Sequence, residues 1–198
     1  MVTMKRVALM VVLLALMFPS ASLAEKLSVQ VDASSNDIDL RLSLETPLYQ
    51  NTGEIGFGLS YSDDYLIPSL NGALKGEVFT PRLTLGLGFK GVFGEVEIHD
   101  KDYNLRAIGF RVLGEYDFGQ ALFHLPLRAS ASISIAPDVL CFSDTDRYLD
   151  LYAGFYLYIV KNGAIGIVYR WFEARFDVPS GELEESYDAL LVGFKLSF

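Results

Sequence analysis

The stretch that decides the fold is Tyr148-Leu149-Asp150-Leu151-Tyr152-Ala153-Gly154-Phe155-Tyr156-Leu157-Tyr158-Ile159-Val160. Leu149, Leu151, Ala153, Phe155, Leu157 and Ile159 fall on alternate positions, with Tyr148, Asp150, Tyr152, Gly154, Tyr156 and Tyr158 between them. A period of two belongs to a β-strand with one apolar and one polar face. A helix would scatter Asp150 and its polar neighbours around the cylinder.

The same alternation recurs along the chain. It is read in Leu27–Asp32, Asp37–Glu45, Glu54–Ser62, Arg82–Phe93, Tyr103–Tyr116, Leu125–Ala136, Ala164–Phe176 and Tyr187–Phe198. Tyr65–Lys75 alternates less cleanly. Pro68 has no N–H to give a ladder, so that strand is expected to start at Ser69 or to bulge there. Ten segments result, or eight if the first two are peripheral. Either even count suits an all-β, antiparallel up-and-down barrel.

A soluble barrel and a transmembrane barrel share this period with opposite sense. The polar face here is rich in small residues, among them Gly86, Gly88, Ser130, Ser132, Ser134 and Gly166, as a narrow lumen requires. Its charges have both signs. The apolar face has none at the strand centres, where Arg or Lys costs about 2–4 kcal/mol at the lipid midplane. We therefore read a transmembrane β-barrel of about ten strands. Its lumen would carry Arg41, Arg82, Lys90, Arg111, Arg128, Arg170 and Lys195, with Asp39, Glu45, Glu54, Glu115 and Asp150 as partners. In a barrel of this size side chains fill the interior. A narrow pore for small solutes is the alternative. Tyr61, Tyr103, Tyr116, Trp171 and Tyr187 are expected at the membrane–water interfaces.

Residues 1–24 read as a secretory signal, with residues 25–198 as the barrel. Lys5 and Arg6 precede the apolar run Val7 to Phe18, and Ser22-Leu23-Ala24 places small residues before the cut. That run is too short to span a bilayer. With 16 Lys+Arg against 25 Asp+Glu, a formal charge of −9 gives no basic surface for nucleic acid. The single cysteine, Cys141, excludes an intramolecular disulfide and a cysteine zinc cluster. Lys161-Asn162-Gly163 is a tight hairpin turn. Gly94–Asp102, Pro137–Arg147 and Asp177–Ser186 are expected as longer acidic loops on the opposite rim. That rim could gather hard divalent cations, but plain solubility accounts for it, and neither metal nor cofactor is expected.

The histidines are His99 and His124. His99, in Glu97-Ile98-His99-Asp100-Lys101-Asp102, is the one candidate for a hydrolytic site acting on lipid or lipopolysaccharide. A solvated acidic loop accounts for it as well, and no enzyme is expected. His124 reads as a turn residue.

The chain stops at Phe198, with Leu196 and Phe194 on the same face. Such an ending resembles the signal recognised by the barrel-assembly machinery of Gram-negative bacteria. The segments Ser134–Leu140, Phe142–Tyr148, Gly166–Arg170, Glu173–Asp177 and Val192–Phe198 resemble the YfaZ family of outer-membrane proteins. The likeness covers most of the chain after the signal and is densest in the last 65 residues or so; Cys141 sits where no cysteine is expected. It implies an outer-membrane barrel exported by the general secretion pathway and surrounded by lipid and lipopolysaccharide, with a structural or surface role. It brings no catalytic residue.

Overall fold

The computed structural model describes residues 26–98, 101–119, 126–178 and 181–198. The expected signal segment, His99 and His124 lie outside the described residues. The elements are β1 (Lys26–Ala33), β2 (Ile38–Leu48), β3 (Asn51–Tyr61), β4 (Tyr65–Val78), β5 (Thr80–Ile98), β6 (Lys101–Gly119), β7 (Leu127–Ala136), β8 (Cys141–Ser143), β9 (Thr145–Val160), β10 (Gly163–Val178) and β11 (Gly181–Ser197). Apart from the short β8, which is laid on β6, each strand pairs antiparallel with its neighbours in the chain. β1 pairs with β11 and closes a ten-stranded up-and-down barrel. Lys26 and Phe198 lie together at one end, the terminal end. The turns at Ser34–Asp37 and Ser62–Asp64 mark the far end.

Through the terminal two thirds the apolar residues face out. Ile55, Leu87, Phe89, Phe110, Phe155, Ile167, Val192 and Phe194 are all exposed, while Ser28, Glu54, Lys75, Ser132 and Asp150 are buried on the inward face. The outward apolar run from Leu83 to Phe93 on β5 has about the length a tilted strand needs to cross hydrocarbon. An outer wall of leucine and phenylalanine around an ionised interior is the polarity of a transmembrane barrel. Among the described residues no helix is long and apolar enough to cross a membrane; the chain crosses with strands.

Towards the far end the polarity inverts without a break in alternation. Beyond Phe93 the outward residues of β5 are Glu95 and Glu97, and the inward ones are Val96 and Ile98. Beyond Trp171 on β10, Glu173, Arg175 and Asp177 face out, while Phe172, Ala174 and Phe176 are buried. β11 does the same, with Asp188 and Glu184 outside and Tyr187 and Leu183 packed within. Below the boundary the wall is built for lipid; above it, for water.

This corrects three expectations. Gly94–Asp102 and Asp177–Ser186 are not loops: strands continue through them to Ile98 and Lys101, and to Val178 and Gly181. Pro137–Arg147 is a true excursion, containing a 3-10 turn at Asp138–Leu140 and β8. Tyr103 and Tyr187 point into the far-end core rather than to an interface, with Tyr103 5.4 Å from Phe176 and Tyr187 5.0 Å from Phe172. β4 neither starts at Ser69 nor bulges at Pro68. It starts at Tyr65, and its ladder to β3 runs through Pro68 while the one to β5 lapses at Ile67 and Pro68. Opposite that lapse Gly94 lies so close that a Cβ would meet Leu66 O at 2.3 Å.

Candidate functional site

The inward faces of the ten strands form one continuous interior, and it is layered. Nearest the terminal end is Lys75, which parity on β4 turns inward with Asn71 and Ser69. Its Nζ lies 2.6 Å from Glu45 of β2, 2.8 Å from Glu54 of β3 and 3.5 Å from Glu115 of β6. Four strands thus converge on one ammonium across the lumen. Lys26 also meets Glu45 at 3.1 Å, and Arg111 meets Glu54 at 3.1 Å while donating to Asn71 Oδ1 at 2.8 Å. The three carboxylates have oxygens within 4.8 Å of one another, a spacing suited to a cation. Lys75 supplies it.

The middle layer has two parts. Arg170 of β10 bonds Asp39 at 2.9 Å and lies 3.6 Å from Asp150, which Lys90 meets at 2.8 Å. Arg41 pairs with Asp39 at 3.3 Å and covers the Tyr152 ring at 3.7 Å. Beside this, Gln30 donates to the hydroxyls of Tyr152 and Tyr156, each at 2.8 Å, and those two hydroxyls bond each other. Tyr156 reaches this place over a glycine track. It is in register with Gly166, Gly166 with Gly193, and Gly193 with Asp32. A Cβ on Gly166 would sit 2.5 Å from the Tyr156 ring, and one on Gly193 2.5 Å from Asp32 Oδ1. The small lumenal residues therefore make room for large ones from neighbouring strands.

The far layer is apolar. Tyr65 meets Phe172 edge-on at 5.1 Å and Tyr187 at 5.4 Å, and Ile67, Val92, Val96, Leu105 and Phe176 are buried around them. The Tyr65 hydroxyl donates to Asp37 at 2.9 Å. Between this cap and Lys75 the lumen holds polar spaces of about 90 and 40 Å³, room for a few waters. On the terminal side a vestibule of about 220 Å³ is bounded by Lys75, Glu45 and Glu115.

Of the residues expected in the lumen, Arg41, Lys90, Arg111 and Arg170 meet Asp39, Glu54 and Asp150 there, and Glu45 and Glu115 meet Lys75. Lys195 lines the larger space but makes no ion pair among the described residues. Arg128 sits at the terminal mouth, bonded to Asp117 at 2.9 Å. Arg82 departs from expectation. It is exposed at that mouth, because it stands at the very start of β5, below the lumen. Lys75, Gln30, Asp32, Asn71, Tyr152 and Tyr156 were missed. The parity of β4 counted from Ser69, and that of β9, pointed to Lys75, Asn71 and the tyrosines. Phe194, Leu196 and Phe198 all face outward and are exposed.

No family model matches the chain and no curated protein matches it, so the resemblance to the YfaZ family stands on its quoted segments alone. Among solved structures the chain is similar to the outer membrane channel DcaP of Acinetobacter baumannii, at 15% identity and a TM-score of 0.41. The match covers 85% of this chain and 54% of that one, so the chain spans about half the channel's length. A likeness of that degree says nothing about conduction here.

Proposed function

We propose that this chain is a non-conducting, non-enzymatic integral protein of a Gram-negative outer membrane, with a structural or surface role of the YfaZ type. It reaches that membrane through the general secretion pathway and the barrel-assembly machinery, with lipid and lipopolysaccharide as its surroundings. The outward Phe194, Leu196 and Phe198 at the terminal end support assembly by that route. The observation that carries the reading is the double closure of the lumen. Lys75 with its three carboxylates bars one end, and the Tyr65–Phe172–Tyr187 cluster bars the other. A buried network of this kind is expensive to break, because removing any partner strands a charge.

Planar-bilayer recording of the purified chain tests it. Flat traces over the range where larger barrels conduct are expected. Discrete, reproducible steps overturn the reading in favour of a narrow pore. The hydrolase alternative has His99 as its one candidate, and His99→Ala abolishing a lipid-directed activity would establish it.

A further inference from the structure

Among the described residues no strand lies beside one edge of β11 above the membrane belt. β1 ends at Ala33, opposite Val192, so from Gly181 to Leu191 β11 pairs with β10 alone. The direction of its free groups follows from the closure of the barrel. Phe198 exchanges both backbone hydrogen bonds with Leu27 of β1, whereas Ser197 N donates to Asn162 O beside β10. Even-numbered residues of β11 thus turn their backbone towards β1 and odd-numbered ones towards β10. The β10–β11 register has no shift from Leu196 to Gly181. Hence Glu184, Ser186, Asp188 and Leu190 present their N–H and C=O to the open edge. In hydrocarbon such groups would be intolerable, and there β1 satisfies them. Pairing lapses at Leu190, next to Asp188, the first charged outward residue of β11.

A flat, unpaired edge is a template for another strand. Between Gly181 and Leu191 neither proline nor bulge blocks the edge, and the charges that guard it are carboxylates, with no lysine or arginine. Two copies inserted in one membrane run their β11 strands in the same sense, which closes antiparallel self-pairing to them. Charge then selects the occupant. The edge is flanked by Glu184 and Asp188, and the exposed Asp63 and Asp64 lie at the same end of the barrel. The Arg175 fork is on Glu184, at 2.7 and 3.2 Å.

We propose that the open edge of β11 receives, as an added strand, an extended segment of a partner protein with Lys or Arg on alternate positions. The inference rests on the transmembrane orientation, not on whether the lumen conducts, so conductance leaves it standing. The test titrates the detergent-solubilised full chain with a peptide of about ten residues, the length of a strand, alternating lysine and valine. Saturable binding is expected at low salt, weaker by roughly tenfold in about 0.5 M salt. Amide exchange is expected to slow at Glu184, Ser186 and Asp188, and to stay unchanged at Glu185 and Tyr187, which already face β10. Ser186→Pro removes one edge N–H and leaves the β10 ladder whole, so it should weaken binding by roughly tenfold without lowering the unfolding midpoint. Equal binding of a glutamate–valine peptide overturns the proposal. So does absence of protection at the even-numbered amides, or their protection by concentration-dependent dimerisation without peptide.

Discussion

Arg170 and Phe172 stand two residues apart on the same inward face of β10, with the guanidinium carbon 5.0 Å from the ring centre. Arg170 belongs to an ion-pair network and Phe172 to an aromatic core. The boundary between an interior made for a membrane barrel and one made for a water-soluble barrel passes between them. Phe172 is almost fully buried, and Phe172→Ala should cost about 3–5 kcal/mol, the usual price of a large cavity. Urea unfolding in detergent measures this, and a loss below about 1 kcal/mol would show that the cap is not packed.

Lys75→Met should be as damaging for a different reason. It leaves Glu45, Glu54 and Glu115 facing one another without the ammonium that joins them, for a loss of about 3–5 kcal/mol. Unfolding midpoints of wild type and variant in urea check it, and a loss below about 1 kcal/mol would contradict the network.

Much of this was legible in the sequence, because period two survives every change of surroundings. The strands, their number and their neighbours follow from it. Leu149, Phe155 and Phe194 lie outward as their composition implies. What composition obscured was the inversion. Val96 fell in an expected loop, and the apolar Phe172 and Phe176 were given no place, yet all three share the parity of Lys90 and Arg170. Parity decides direction, and composition only says what lies there. Lys75 shares the parity of Ser69 and Asn71 and was legible from it, while the missing donor of Pro68 falls where the β5 ladder lapses. Which carboxylate meets which cation was not legible, since cross-barrel pairs such as Arg170 with Asp39 depend on stagger between distant strands.

Charge placed on the outer wall should report the boundary. Leu87→Arg, in the belt, should destabilise by about 2–4 kcal/mol in lipid, and Glu95→Arg, above it on the same strand and face, by less than about 1 kcal/mol. Refolding titrations into lipid vesicles compare the two. Equal penalties would contradict the inversion.

Cys141 lies in the far-end excursion, half-buried, with Sγ 3.6 Å from Ala136 O. Burial, joined by the carboxylates of Asp146 and Asp138, pushes its thiol up to about 11. At pH 8 only about a thousandth is then thiolate. Alkylation by iodoacetamide should be slow there and rise close to tenfold per pH unit until about pH 11. A rate that levels off near pH 9 would show an ordinary, exposed thiol.

Trp171 is the one tryptophan of the chain, and it faces outward at the level where Tyr169 below gives way to Glu173 above. Its fluorescence in vesicles of lipids brominated at different depths tests the central claim most directly. Quenching should be strongest with bromines nearest the headgroups, weaker with those near the acyl ends, and weak with aqueous acrylamide. Strongest quenching at the bilayer centre, or ready quenching by acrylamide with none by lipid, would contradict a wall that meets hydrocarbon below Trp171 and water above it.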